Sequence, residues 1–192
     1  MKDALKSYAE ALAEALAASD WAALERIGAV LLDAKQQGRT VYLFGNGGSS
    51  ATASHVTNDL LKGCRVDGRV GFKAFCLSDS STLMTCLAND FAYEDVYSIL
   101  LQTYAQPGDV AIAFSGSGNS PNVVKGLMTA REMGLVTVGL GGRDGGRMKS
   151  YCDHLLIAPT QSMEMLEDLH LIYFHNLVCA MRVRLGGGSC GC

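Results

Sequence analysis

The amino-acid sequence predicts an α/β fold, a three-layer α/β/α sandwich around a parallel sheet, preceded by a helical hairpin. Five short apolar runs rich in Val, Ile, Leu and Phe each end in a Gly/Ser-rich or acidic turn, and most are followed by a helical stretch. Near-continuous apolar strands that alternate with helices are typical of a parallel sheet covered on both faces. Two amphipathic stretches precede the first of these runs.

The helical hairpin is predicted from the spacing of apolar residues near the start of the chain. Residues 3–18 place apolar side chains at intervals of three or four, which indicates an amphipathic helix. A second helix follows, with Asp20 as its N-cap and Gly38 after its end. The apolar positions of this second helix are Trp21, Leu24, Ile27 and Leu31.

The strands and the closing helix are predicted from the change of period after the hairpin. The predicted strands are residues 41–45, 71–77, 109–115, 135–140 and 154–159. A last helix covers residues 163–185. Residues 1–185 are therefore expected to form a single domain, and the Gly- and Cys-rich residues 186–192 a flexible tail.

The composition excludes several classes of protein. With a net charge of −3, the chain lacks the basic footprint of a nucleic-acid-binding protein. The first 20 residues lack the continuous apolar stretch of a signal peptide, and no window approaches a membrane span of about 18 apolar residues, so neither is expected. Its seven cysteines form no CxxC pair, which predicts reduced thiols packed in a cytoplasmic protein. Charged residues make up only 18% of the chain, which indicates surface hidden in an oligomer.

Many of the 22 glycines fall in two turns at predicted strand ends, residues 44–55 and 114–124. In open parallel sheets, ligands bind beyond the carboxyl ends of the strands. The second turn brings three serine hydroxyls to a helix start, where unpaired amides and the helix dipole favour an anion. These serines are Ser115, Ser117 and Ser120. The turn predicts a phosphate site, and an ordinary capped Gly/Ser loop is the alternative.

Neither turn matches a nucleotide-binding motif. A P-loop closes with Gly-Lys-Ser/Thr, which both turns lack. The dinucleotide fingerprint requires a glycine where Ser50 stands. The expected ligand is therefore a small phosphorylated metabolite, and no nucleotide cofactor is expected.

Two histidines and two carboxylates form a candidate metal site, for zinc first. His55 and Asp59 lie four residues apart and share a helix face, where a simple surface contact is the alternative. Glu167 and His175 lie on the last helix, eight residues or about 12 Å of helix rise apart. Either that helix starts late or one of the two side chains serves a neighbouring subunit. The second option predicts a homo-oligomer with sites at subunit interfaces.

The chain resembles the SIS (sugar isomerase) domain family, and within it the phosphoheptose isomerases. The resemblance rests on residues 45–55, 87–91, 115–125, 142–148 and 167–175. It implies a five-stranded parallel sheet between helices, a homotetramer and a site that often holds zinc. It also implies interconversion of a ketose and an aldose phosphate, typically sedoheptulose 7-phosphate and D-glycero-D-manno-heptose 7-phosphate.

The resemblance also implies roles for individual residues. Asp59 and His175 are implied as base and acid. Because this chain has a carboxylate at position 167, Glu167 is an alternative base. The implied metal ligands are His55, Asp59, Glu167 and His175. The implied substrate-binding positions are Asn46, Gly47, Ser49, Asp90, Ser115, Gly116, Ser117, Ser120 and Glu167.

Three positions depart from the family pattern. Asp59 stands where the family usually has Glu, Glu167 where it usually has Gln, and Gly116 where it usually has Thr. The first change shortens the expected base by one methylene. Misplacement of a catalytic group by about 1 Å lowers the reaction rate by up to about a hundredfold. The second adds a negative charge, which would tighten a divalent cation and raise the pKa of neighbouring carboxyl groups.

Some proteins that resemble this family are non-catalytic. The alternative function is therefore sugar-phosphate binding or regulation without catalysis, as in relatives that bind the bacterial replication initiator. Such relatives tend to lose the terminal histidine and the metal ligands. This chain keeps His55 and His175. The sequence therefore predicts an enzyme.

Overall fold

The fold was taken from a computed structural model, which describes residues 1–188. Five parallel strands form one sheet in the order β2-β1-β3-β4-β5, with helices on both faces. The predicted three-layer α/β/α sandwich and the five-stranded parallel sheet are confirmed. The strands are β1 Thr40–Gly45, β2 Lys73–Cys76, β3 Val110–Ser115, β4 Val136–Gly141 and β5 His154–Ile157.

Seven α-helices surround the sheet in the described part of the chain. They are α1 Lys2–Ala17, α2 Trp21–Gln36, α3 Gly48–Asn58, α4 Ser81–Asp90, α5 Val96–Tyr104, α6 Pro121–Glu132 and α7 Met163–Arg184. A π-helical turn, Asp59–Gly63, continues α3, and 3₁₀ turns span Tyr93–Asp95 and Arg147–Tyr151. The Asp20 carboxylate accepts a hydrogen bond from the Ala23 amide at 2.8 Å, as the N-cap prediction requires.

Alternate residues of the central strands build two separate cores. Ile112 of β3 packs with α2, α3 and α7, whereas its neighbour Ala111 faces the layer of α5 and α6. Successive side chains of a strand point to opposite faces. Both residues are fully buried, so both faces of the sheet are covered, as the continuous apolar runs predicted.

The strand order brings the two Gly/Ser turns together. β1 and β3 are neighbours, with Gly45 opposite Phe114 at their carboxyl ends. The chain leaves β1 toward β2 on one side, and β3 is followed by β4 and β5 on the other. The crevice at such a reversal of strand order is where open α/β sheets bind ligands.

The structure also departs from expectation at several places. Trp21 is 45% exposed rather than part of the hairpin core, because its ring meets Tyr173 only edge-on at the rim of the α2 and α7 packing. Cys179 is disulfide-bonded rather than a free thiol. Cys64, Cys76, Cys86 and Cys152 are free, as expected. The greater part of the predicted tail, including Cys190 and Cys192, lies outside the described residues.

Candidate active site

The three serines of the second turn form a small pocket at the carboxyl end of β3, here called the serine cup. The Ser115 hydroxyl oxygen accepts a hydrogen bond from the Gly118 amide at 3.2 Å. The Ser117 hydroxyl oxygen accepts one from the Asn119 amide, also at 3.2 Å. Because each oxygen is already an acceptor, each hydroxyl proton is left to be donated to an anion.

The start of α6 forms one side of the serine cup. Ser120 occupies the N-cap position without a side-chain capping bond, and Pro121 begins the helix. Asn122 instead accepts from the Val123 amide through its side-chain oxygen at 3.0 Å. The Ser120 hydroxyl therefore remains available at a helix N-terminus, where the dipole favours negative charge.

Asn46, predicted to bind substrate, is held by a polar network between β1 and α6. Its side-chain oxygen lies 3.0 Å from the hydroxyls of both Tyr93 and Tyr97 and 2.9 Å from the Asn122 amide nitrogen. Its own amide nitrogen donates to the Asn122 side-chain oxygen at 2.8 Å. An amide nitrogen carries two protons, so Asn46 keeps one donor for a ligand.

The first turn of α3 meets α7 beside the serine cup. Gly47 is the N-cap, with a positive φ of 56° that favours glycine. A Cβ at Gly48 would overlap the Glu167 carboxylate. Ser49 is buried and lines the cup together with Asn46 and Glu167. The structure thus places Glu167 at the serine cup.

His55, Asp59 and His175 meet in a second cluster, here called the histidine–aspartate group. The two histidine Nε2 atoms are 3.1 Å apart, and each lies 3.4 Å from the Asp59 Oδ2 atom. Both histidine side chains are 48% exposed, whereas Asp59 is mostly buried. Two imidazoles and a carboxylate within 4.8 Å of one another match the three protein ligands of a catalytic zinc ion.

Glu167 is not part of this group within one chain, counting the described residues. The last helix begins at Met163, so the late helix start considered from the sequence is wrong. Glu167 and His175 therefore stand about 12 Å apart along α7. Within a single chain, Glu167 lies with the serine cup and His175 with the other candidate ligands.

Two further predicted positions lie at the margins of the site. Asp90 ends α4, is exposed, and accepts from Asn89 at 2.8 Å and from the Cys86 thiol at 3.5 Å. It does not line the serine cup among the described residues. Gly116 does line the cup, and Met163 lies directly against it.

Comparison with known proteins identifies the family of the chain. The family model described as "SIS domain" matches residues 6–142. The chain belongs to the SIS domain family. Phosphoheptose isomerases are among its relatives. That of Paramagnetospirillum magneticum is 39% identical over 153 residues, covering 80% of this chain and 79% of the relative. That of Aneurinibacillus thermoaerophilus is 31% identical over 186 residues, covering 94% and 93%.

Solved structures of SIS-family proteins share the fold. The phosphoheptose isomerase of Francisella tularensis matches with a TM-score of 0.88 at 21% identity, covering 94% of this chain and 97% of that one. The Vibrio vulnificus NanR protein, complexed with ManNAc-6P, matches with a TM-score of 0.70 at 18% identity, covering 94% and 61%. At these identities the likeness shows the fold.

Sequence reasoning missed several residues of this SIS-family site. Tyr93, Tyr97 and Asn122 hold Asn46, and Met163 forms a wall of the serine cup. Asn122 had a local signal, because it follows a predicted N-cap and proline. The tyrosines are about 50 residues from Asn46 in sequence, and nothing in their local pattern indicated the contact.

Proposed function

We propose that this protein is an aldose–ketose isomerase of sugar phosphates that converts sedoheptulose 7-phosphate to D-glycero-D-manno-heptose 7-phosphate. One observation carries the proposal. The serine cup and the histidine–aspartate group are both built on helices α3 and α7. The two strands that lead into the site, β1 and β3, are neighbours in the sheet. An anion site and an acid–base group so joined suit a substrate with a phosphate at one end and a carbonyl at the other.

The reaction moves a proton between adjacent carbons. A base removes a proton from C1 of the ketose while an acid protonates the C2 carbonyl oxygen, which gives an enediol. The proton is then returned to C2 as the C1 hydroxyl gives up its proton and becomes the aldehyde oxygen of the aldose. Asp59 is the proposed base and His175 the proposed acid, a pairing supported by their 3.4 Å separation. Glu167, which lies at the serine cup, is less suited to act as the base within one chain.

The serine cup is proposed to anchor the substrate phosphate. Its hydroxyls and the N-terminus of α6 supply donors without a cationic side chain among the lining residues. Binding energy from this remote group aligns the carbonyl end with the acid and base. Asn46, Gly47 and Ser49 are proposed to meet the sugar, with Asp90 reaching a substrate hydroxyl.

Zinc is the metal that the donor set of the histidine–aspartate group suits best. His55, Asp59 and His175 would hold it, and Glu167 would join only from another subunit. When bound, such an ion would polarise the substrate carbonyl and help to orient the sugar.

We further propose that the chain forms a homotetramer with active sites between subunits. The exposure of His55 and His175 supports this. An active site works best when water is kept out of it, and in a single chain these two side chains are open to solvent, so a second subunit is needed to cover them. Helix α4 contributes no buried residue, and Phe91 beside it is 67% exposed. Within the described residues no helix is long and apolar enough to cross a membrane. The cytoplasmic location expected from the sequence stays a prediction.

The decisive test follows isomerisation in D2O. Purified protein supplemented with zinc is incubated with sedoheptulose 7-phosphate and with five- and six-carbon ketose phosphates, and products are followed by NMR. The heptose phosphate is expected to appear with deuterium at C2, since the proton passes through an exchangeable base. Unphosphorylated sedoheptulose is the control and should turn over far more slowly. Binding of the sugar phosphates without exchange or product would instead support the non-catalytic alternative.

A further inference from the structure

The first five residues of α7 pack closely against three glycines, each of which follows a strand of the sheet. These glycines are Gly48 after β1, Gly116 after β3 and Gly142 after β4. A Cβ at Gly48 would overlap Glu167, and a Cβ at Gly142 would overlap Leu166. A Cβ at Gly116 would lie 2.6 Å from Met163 Sδ, closer than Cβ atoms approach their neighbours in real proteins.

The contact between Met163 and Gly116 lies inside the serine cup. Both residues line this pocket, which has a volume of about 150 Å³. Met163 is 41% exposed, so the packing of the hydrophobic core does not account for its place. Its thioether fills the space that any side chain at position 116 would need.

The opposite side of the serine loop is fixed by hydrogen bonds. The Gly118 carbonyl accepts from the Met148 amide at 2.9 Å. The Asn119 side-chain oxygen accepts from the Arg147 backbone amide at 3.0 Å. These two bonds tie the end of the loop to the turn after β4. Within the loop, the Asn119 side-chain nitrogen donates to the Ser117 carbonyl at 2.9 Å.

On the side of α7, the contacts at Gly116 are apolar. Besides Met163, Leu166 Cδ2 would lie 3.5 Å from a Cβ at Gly116. Dispersion contacts are lost when a gap opens beside them. On this side, residue 116 is therefore bordered by the side chains of Met163 and Leu166, with the thioether nearest.

We propose that Met163 is a positioning residue of the serine cup, whose thioether holds the Gly116 backbone so that the Ser115 and Ser117 hydroxyls converge on a phosphate. The inference rests on the proposed function, because it assumes that the cup binds phosphate. Methionine suits the role, since its flexible and polarisable side chain fills irregular gaps.

The geometry makes residues 116 and 163 dependent on each other. Met163→Ala leaves a gap beside the loop, and Gly116→Ala forces the loop or the thioether to move. In the double variant, the new methyl at position 116 occupies part of the space that the thioether has left. Its effect is therefore expected to be smaller than the product of the two single effects.

The experiment is a double-mutant cycle on the full chain. The Kd of inorganic phosphate is measured by calorimetry for the wild type, Met163→Ala, Gly116→Ala and the double variant, and KM and kcat are measured with sedoheptulose 7-phosphate. Each single variant is expected to weaken phosphate binding by about tenfold, and the double variant by about tenfold rather than a hundredfold. KM should rise accordingly while kcat changes by less than about threefold, because the acid–base residues are untouched.

Met128→Ala is the matched control. Met128 lies on α6, lines a separate surface pocket, and is not a lining residue of the serine cup. Its Kd for phosphate should equal that of the wild type. Melting temperatures of all variants verify that each is folded.

Two results would overturn the inference while leaving the proposed function intact. One is a wild-type Kd in Met163→Ala, and the other is a double variant weakened by the full product of the single effects. A wild-type protein that isomerises the sugar phosphate but binds no phosphate at the cup would overturn both the proposed anchoring role and this inference. A wild-type protein that binds phosphate but catalyses nothing would overturn the enzyme proposal alone.

Discussion

Single residues of the site are oriented by hydrogen bonds that leave one donor free for a ligand. Ser115 and Ser117 accept backbone protons through their hydroxyl oxygens, so their own protons are directed away from the loop. The oxygen of Asn46 is occupied by two tyrosine hydroxyls and the Asn122 amide, and one Asn46 N–H remains. Donors that are fixed before a ligand arrives cost little reorganisation when it binds.

The first residue-scale prediction concerns Ser117. Ser117→Ala should raise KM for the sugar phosphate by about tenfold or more and leave kcat within a few-fold, since a hydrogen bond to a charged group contributes about 1.5–3 kcal/mol. Steady-state kinetics measures both constants. Ser7→Ala on the surface of α1, where the hydroxyl bonds only the Asp3 carbonyl, is the control. A lower kcat at unchanged KM would contradict the anchoring role.

The second residue-scale prediction concerns His175. His175→Ala should lower kcat by about a hundred- to ten-thousandfold, the usual contribution of a general acid or base. Zinc bound per chain, measured by elemental analysis, should fall as well if this histidine is a ligand. His154→Ala is the control and should behave as the wild type, because His154 begins β5 and so lies at the amino ends of the strands, away from the site at their carboxyl ends. Full activity of the His175 variant would refute the assignment.

Among the elements, α7 links the parts of the site. Its first turn carries Met163 and Glu167 at the serine cup, and His175 lies in the histidine–aspartate group. Between them, the buried His170 lies 3.1 Å from the Gly141 carbonyl at the end of β4. Gly141 pairs with Ser115, so His170 connects α7 to the strand end that carries the cup.

Burial makes His170 a source of acid sensitivity. Desolvation lowers its pKa from 6.5 to about 4. Between these pH values the unfolded chain binds a proton that the folded chain does not. The free energy of unfolding therefore falls as pH drops from 6.5 to 4, with a total loss on the order of 3 kcal/mol.

The element-scale prediction is that His170→Gln removes this loss. Glutamine keeps an N–H that is able to reach the Gly141 carbonyl but does not titrate. Urea unfolding at pH 7 and pH 4.5 should show a smaller drop in stability for this variant than for the wild type. His154→Gln, on the partly exposed β5, is the control. An equal drop in stability for the wild type and for His170→Gln would contradict the lowered pKa of His170.

At the scale of the whole molecule, the fold places the histidine–aspartate group at an open surface. The serine cup lies in the crevice between the ends of β1 and β3, but the histidines of the histidine–aspartate group face outward. The side chains of Phe75 on β2 and of Phe91 after α4 are also exposed. A second copy of the chain is the proposed cover.

The prediction at this scale concerns assembly. Light scattering should give the mass of four chains, and activity per chain should fall when dilution dissociates them, since each site would lose its cover. Phe91→Asp is expected to lower the mass and the activity together. A monodisperse monomer that retains full activity would contradict the interfacial site.

The fold was predictable because its signals are local. Alternation of apolar runs and helices located all five strands, although the predicted second strand, residues 71–77, proved shorter at Lys73–Cys76. Helix α4 left little apolar periodicity to find, because none of its residues is buried. The serine cup was predictable for the same reason, since its three hydroxyls and its helix start lie within seven residues.

The sequence by itself determined the layer architecture and the place of the serine turn, because period, turn chemistry and helix capping act between near neighbours. Only the tertiary structure decided that His175 joins His55 and Asp59 while Glu167 lies at the serine cup. His55 and His175 are 120 residues apart, so their contact depends on how α7 crosses α3. That crossing is set by packing in the core beneath both helices, which no local pattern encodes.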